Sequence, residues 1–213
     1  MTQKERQERS RKEIFQAALE EFGTRGYDNV TMDSICSRHG ISKGMMYHYY
    51  SNKDELFLLC VQDTFQALKA QIERDAAELS GQSSFDSIKN YLLIREYFFQ
   101  LHPKRKLIFE NAMLRPPKQL TGQIRALHAP LKEMNRQFMG RVVSHMSLRE
   151  GLDREKVIRY LESMESHFWS LVSQYQQEKS CCDIRSMLAA AEELLDMTLF
   201  GILRQPDEAE SRP

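Results

Sequence analysis

The chain has 213 residues, 41% of them apolar, which allows one large or two modest domains with a buried core. Its 30 Lys and Arg balance 30 Asp and Glu, so it is not coated in positive charge like a general nucleic-acid binder, and any patch for an anionic partner must be local. No basic and then apolar leader is present, and no uncharged apolar run approaches ~20 residues, so neither a secretory signal nor a transmembrane helix is expected and the expected compartment is the cytoplasm.

At the start, Lys4, Arg6, Arg9, Arg11 and Lys12 outnumber Glu5 and Glu8. That suits either a segment lying near phosphates or a solvated, frayed terminus, and charge alone does not separate the two. Arg11 to Gly23 carries Ile14, Phe15, Ala18, Leu19 and Phe22 at helical spacing and predicts a first helix. A turn at Gly26 to Asn29 follows. Thr31 is a good N-cap for a second helix, whose Ile35 and Cys36 fall on an inward face. Gly40 ends it in a left-handed conformation without steric cost. Ser42 then caps a third helix in which Met46, Tyr47 and Tyr50 recur at helical spacing. Lys43, Gly44, Met45, His48 and Tyr49 are left facing outward, a set that suits a major groove. Residues 1–53 therefore read as a three-helix, helix-turn-helix DNA-binding domain.

At these residues the chain resembles the tetracycline-repressor (TetR) family of transcriptional regulators. The resemblance rests on the run GYDNVTMDSIC from Gly26 to Cys36, on Gly-Ile-Ser-Lys-Gly at Gly40 to Gly44, and on Tyr47-His48-Tyr49-Tyr50 followed by Asn52, Lys53 and Leu56. It covers roughly Ile14 to Leu59; the remainder is similar only in length and helical character. The resemblance implies that Thr31, Tyr47, Tyr49 and Lys53 contact phosphates. Ser42, Lys43, Gly44 and Met45 open the recognition helix and are the candidates for base edges, with Lys43 donating to guanine O6 or N7 and Gly44 permitting close approach. For Tyr47 the alternative is packing under the recognition helix. Tyr50 departs from a Phe common in the family. Asp33 is left out of the predicted contacts, because a carboxylate repels phosphate unless it accepts from a cytosine amino group or pairs with a cation.

Lys53 to about Leu79 runs without Pro or Gly through Leu56, Leu59, Cys60, Phe65, Leu68 and Ile72. At ~1.5 Å per residue this helix spans ~40 Å and is the natural connecting rod. Ser80 to Ser84 reads as a loop, with Ser84 as the cap of the next helix. Phe85 to Leu101 places apolar bulk on every side, as a fully buried helix does. Pro103 starts another helix, Pro116 and Pro117 end it, and Pro130 opens or kinks a longer one through Phe138, Val142, Val143 and Met146. Asp153 caps a helix carrying Val157, Leu161, Met164, Phe168, Leu171 and Tyr175. A last helix follows Cys181 and Cys182, with Ile184, Met187, Leu188, Ala191, Leu194, Leu195, Thr198 and Ile202. These last two helices either supply half of a four-helix interface with a twin subunit or bury their stripes within their own chain. The fold class is all-α: the helix-turn-helix domain, a larger helical ligand-binding and dimerisation domain over 54–204, and a disordered tail at 205–213.

The resemblance implies that the larger domain binds a small-molecule effector. Tyr91, Arg95, Phe98, Phe109, Met113, Phe138, His167, Phe168 and Trp169 are the pocket candidates, with Glu96 and Asn111 as further polar anchors, against the plain alternative of ordinary core. Six scattered histidines and four cysteines lack metal-ligand spacing, so neither a metal nor another cofactor is expected, nor a disulfide. Cys181 and Cys182 form a candidate redox pair or an inert one. No GxSxG, P-loop, HExxH or nucleotide fingerprint supports an enzyme. The expected protein is a homodimeric, effector-released repressor on a palindromic operator. An architectural DNA-binding protein without a ligand, or less favourably an all-helical enzyme, is the alternative.

Overall fold

The computed structural model describes residues 2–76, 83–164 and Asp196. Within them lie the α-helices α1 (Gln3–Arg25), α2 (Met32–His39), α3 (Lys43–Tyr49), α4 (Lys53–Ala76), α5 (Ser84–Leu101), α6 (Pro103–Met113) and α7 (Thr121–Ser144), with a 3-10 turn at Lys118–Leu120. Residues 154–164 are also helical, and no strand of more than one residue occurs among the described residues. None of the described helices is long and apolar enough to cross a membrane. Met1–Glu73 and Arg95–Leu131 form one compact unit; the described residues of Arg74–Ile94 and from Lys132 onward form a second.

Local chemistry sets the helix ends. Thr2 and Glu5 close a capping box at the start of α1, each side chain meeting the other's backbone N–H. The first helix thus begins eight residues before the predicted Arg11, and the basic residues at the start stand on a helix rather than in a frayed arm. Ser83, one residue before the predicted cap, accepts from Asp86 N at 3.1 Å ahead of α5. Pro103 occupies the first turn of α6, where its missing N–H costs nothing. Pro130 lies inside α7, so the predicted opening there is corrected to a continuous helix. Asp153 Oδ1 accepts from Glu155 N at 3.2 Å, the expected cap.

In the first unit the core is Ile14, Ala18 and Phe22 of α1 against Ile35, Met46, Leu56 and Phe57, all closed to solvent. Phe22 meets Phe57 edge to face at 5.2 Å, a favoured aromatic geometry. Helix α5 is less uniformly buried than its composition suggests: Tyr97 and Leu101 face solvent, whereas Phe98 and Phe99 are inside. In the second unit Tyr91 stacks on Phe138 with centroids 3.9 Å apart, and its hydroxyl donates to Asn135 Oδ1. Arg136 bonds Glu155 and reaches Glu162 at 3.4 Å. Of the two predicted C-terminal helices, Val157 and Leu161 are buried. Phe168, Leu171, Tyr175, Cys181, Cys182, the last helix and the tail at 205–213 lie outside the described residues.

Helices α1 and α6 make the closest approach in the first unit. A Cβ on Gly23 would sit 2.5 Å from Lys104 Cβ and 2.9 Å from its Cα and carbonyl oxygen, so backbone rather than a flexible tip blocks it. Lys104 also pairs with Glu20 across the same contact. Gly23→Ala is expected to destabilise the protein by about 1–3 kcal/mol through overpacking. Gly122→Ala, with open space around its Cβ, should leave stability unchanged or slightly higher. Urea unfolding compares the two; equal midpoints would show that α6 yields freely.

Candidate nucleic-acid interface

The helix-turn-helix is built from two N-caps and one left-handed glycine. Thr31 Oγ1 accepts from Ser34 N at 3.0 Å, and Ser34 Oγ accepts in return from Thr31 N at 3.0 Å. Gly40, at φ 65°, ends α2; a side chain there would be strained. Ser42 Oγ accepts from Met45 N at 3.1 Å and starts α3. Ile35 and Cys36 of α2 and Met46 of α3 are buried as their spacing predicts, and burial pushes the Cys36 thiol pKa up, so that group stays a neutral core residue.

Helix α3 offers the outward set. Ser42, Lys43, Gly44 and His48 are exposed and Met45 is half-buried. Tyr47 is 52% exposed, so its predicted inward position is corrected: Met46 alone anchors the helix and the Tyr47 hydroxyl stands in solvent. Tyr49 is half-buried, its ring edge-on to His48 at 4.7 Å and 5.5 Å from the Arg11 guanidinium of α1. Arg11 is thereby joined to the interface, which periodicity had shown only as one of several basic residues. Tyr50 closes α3, and burial raises its hydroxyl pKa.

Lys53 has a role in the fold that sequence reasoning missed. Its Nζ donates to the carbonyls of Tyr27 at 3.1 Å and Val30 at 3.2 Å and lies 4.1 Å from the Tyr27 ring centre. Two of its three N–H groups are therefore used holding the turn before α2. Tyr27 is a hub in turn. Its hydroxyl donates to Asp54, which with burial drives its pKa upward; Gln119 Nε2 donates to that hydroxyl at 2.9 Å. Tyr27 N donates to Asn111 Oδ1 at 3.0 Å. Asn111, expected among the ligand anchors, is a structural clamp instead.

Two acidic residues shape the charge. Glu21, 4% exposed, gathers Arg25 at 3.3 Å, His39 at 3.3 Å and Arg38 at 3.8 Å. Buried carboxylates need such partners, and these tie α2 to α1. Asp33 Oδ2 meets Lys43 Nζ at 2.8 Å between the open sides of α2 and α3. The hydrogen bond and charge of Asp33 hold the Lys43 pKa above its usual value, so the ammonium stays charged.

The described pocket candidates are divided between the two units. Arg95 lies 5.0 Å from the Phe109 ring centre, beside buried Phe98, in the first unit. Tyr91 and Phe138 belong to the stack in the second. Met113 is exposed, and His167, Phe168 and Trp169 lie outside the described residues. Glu96 is 5% exposed, and among the described residues its Oε2 has no hydrogen-bond partner.

Known proteins agree with this geometry. The family model described as bacterial regulatory proteins, tetR family, matches residues 14–60. The HTH-type transcriptional regulator YdgC of Bacillus subtilis is 22% identical over 200 residues, covering 91% of this chain and 93% of its own. The HTH-type transcriptional activator FasR of Mycolicibacterium smegmatis is 32% identical over 119 residues, 54% of this chain and 52% of its own. The solved structure of the fatty acid degradation regulator FadR from Bacillus halodurans superposes with a TM-score of 0.67 at 12% identity, covering 87% of this chain and 94% of that one, and shares its fold. Residues 14–60 are thus similar to the tetR family of bacterial regulatory proteins, and the chain shares the all-helical fold of the solved FadR structure.

The Lys53 assignment is open to direct measurement. Lys53→Met keeps the apolar stem and removes the ammonium; it is expected to lower stability by about 1–3 kcal/mol through two lost charge-assisted bonds. A purely phosphate-binding lysine would instead leave unfolding unchanged and reduce only the salt dependence of DNA binding.

Proposed function

We propose that the protein is a homodimeric repressor that binds a palindromic operator and is released from it by a small-molecule effector. What carries the DNA part of this reading is α3 itself: one buried anchor, Met46, and an otherwise open face bearing Lys43, Gly44 and Tyr47. Residues 1–53 act as the reading head, with Thr31, Tyr47, Tyr49 and the remaining Lys53 N–H on phosphates. Ser42, Lys43, Gly44, Met45 and His48 lie toward base edges. Phosphate contacts fix the register and base contacts choose the sequence.

Residues 54–204 form the effector and dimerisation domain in this reading, with 205–213 as a tail, and the protein acts in the cytoplasm. Buried Arg95, Phe98 and Phe109 on α5 and α6, with Tyr91, Met113, Phe138, His167, Phe168 and Trp169, are the proposed effector contacts. An apolar environment holding a few charged groups supports a ligand that is mostly apolar with a polar end. Effector release requires different affinities for the two conformations of the dimer; a coupling of ~1–3 kcal/mol shifts DNA affinity about 5–150-fold. Repression over activation follows the family's type member. The relative FasR carries the name of an activator, so the sign depends on where the operator lies.

Selection of bound sites from random duplexes tests the reading. The expected product is a palindrome whose half-sites lie about one helical turn apart, roughly 34–36 Å, bound with a steep salt dependence. Lys43→Ala is expected to lose about 5- to 150-fold discrimination at one base pair. A loss uniform over all sequences, with the salt slope smaller by about one, would move Lys43 to a phosphate. Protein stripped of bound metabolites that shows no sequence preference ends the proposal. DNA binding indifferent to every stabilising small molecule would favour the architectural alternative.

A further inference from the structure

We propose that Asp33 and Lys43 act as one reading unit, a paired acceptor and donor that recognises a single G·C base pair with guanine on the lysine side. This inference rests on the DNA-contact reading of α3 above and adds a residue that electrostatics alone would place against it.

The two side chains come from different helices, Asp33 from the first turn of α2 and Lys43 from the first residue of α3, and meet at 2.8 Å. They remain 61% and 66% exposed, so the pair is presented to solvent rather than consumed by the core. Exposed ion pairs add little to stability. The fold therefore does not need this pair, and removing it leaves the caps and buried anchors of α2 and α3 in place. The other acid cluster differs in that Glu21, which Arg25, Arg38 and His39 approach, is itself buried, whereas Asp33 and Lys43 are both exposed.

The chemistry of the pair matches one base-pair edge. An ammonium has three donors, and one is given to Asp33 Oδ2; the other two are free for guanine O6 and N7. Among the described residues no hydrogen bond to the second carboxylate oxygen of Asp33 occurs, and that oxygen accepts from cytosine N4. Guanine O6 and cytosine N4 are neighbours on the major-groove edge, themselves hydrogen-bonded at about 2.9 Å, as the ammonium and carboxylate are neighbours on the protein, so acceptor faces donor and donor faces acceptor side by side. Reversing the pair to C·G sets ammonium against amino group and carboxylate against carbonyl oxygen. A T·A pair offers the lysine one acceptor, O4, beside a methyl group, instead of two. The pair has no net charge, so it gains little from phosphate and discriminates by pattern, as a protein of zero net charge requires.

The experiment is site selection followed by equilibrium binding with the full-length protein, Asp33→Ala and Asp33→Asn, each first shown by thermal unfolding to be folded. Wild type is expected to prefer G·C over both C·G and T·A at one position of each half-site, the same position at which Lys43→Ala loses discrimination. Both Asp33 variants should lose at least fivefold of that preference while binding unrelated DNA more tightly, since a negative charge has left the interface. A uniform gain in affinity with the order of preferred sites unchanged overturns the proposal and leaves Asp33 as a solvated, repulsive charge. Loss of preference at a position that Lys43→Ala does not affect also overturns it, by separating the two residues. Wild type without any sequence preference removes the DNA-contact reading as well, so the two failures are distinguishable.

Discussion

The recognition helix has seven residues and one buried side chain, too little to hold itself in place. Its position is inherited from the anchoring of Tyr27. That ring packs against Phe22 of α1 and Phe57 of α4, with Lys53 over one face. The hydroxyl is locked between Asp54 and Gln119, and the backbone N–H donates to Asn111 of α6. Lys53 then grips the carbonyls of Tyr27 and Val30. These contacts fix the turn from which α2 departs, and the left-handed Gly40 passes that orientation on to α3. Loosening the Tyr27 cluster would leave every cap of the reading head intact and aim it poorly.

Neutral composition is turned into a local surface by burying charge selectively. Arg25, Arg38 and His39 are basic residues close to the reading head, yet all three face Glu21, which is almost closed to water. Arg38 and His39 thereby join α2 to α1, while Arg25 pairs with Glu21 within α1. Lys4, Arg6, Arg9, Arg11 and Lys12 stay exposed along α1, and Arg11 reaches the Tyr49 ring at the end of α3. A short interface of this kind positions itself through a few aimed groups, not a broad positive field, which favours discrimination over sheer affinity.

What could be read from the sequence was local. Thr31, Gly40 and Ser42 announce their roles because a cap or a left-handed glycine is decided within a few residues, and Ile35, Cys36 and Met46 follow from helical period. Long-range partners carry no such mark. Lys53 looks like a phosphate ligand alone until Tyr27 and Val30, more than twenty positions away, are seen to take two of its three donors. Asn111 looks like a pocket anchor until it meets Tyr27, and Glu21 looks like one more surface acid. Tyr47 was misplaced for a different reason: in a helix this short, period allows two inward directions, and only packing under Met46 chooses between them. The start of α1 was missed because Thr2 and Glu5 supply a capping box without the apolar stripe that periodicity looks for.

The same distinction explains why the reading head is legible and an effector site is not. A DNA contact is made by the outer face of short elements whose inner face is fixed by local rules, so its residues can be named by subtraction. Residues that line a cavity sit on the same buried faces as those that fill a core, and aromatic bulk serves both. Arg95 and Glu96 are the exceptions, charged groups carried into the interior by α5 among Phe98, Phe99 and Phe109. Burying charge is costly unless something compensates it. The Arg95 guanidinium lies over an aromatic face; among the described residues one Glu96 oxygen has no hydrogen-bond partner, and burial raises the Glu110 carboxyl pKa, with Glu96 raising it further against the opposing charges of Lys106 and Arg115. Charged groups in such a setting mark positions that apolar packing alone would not select.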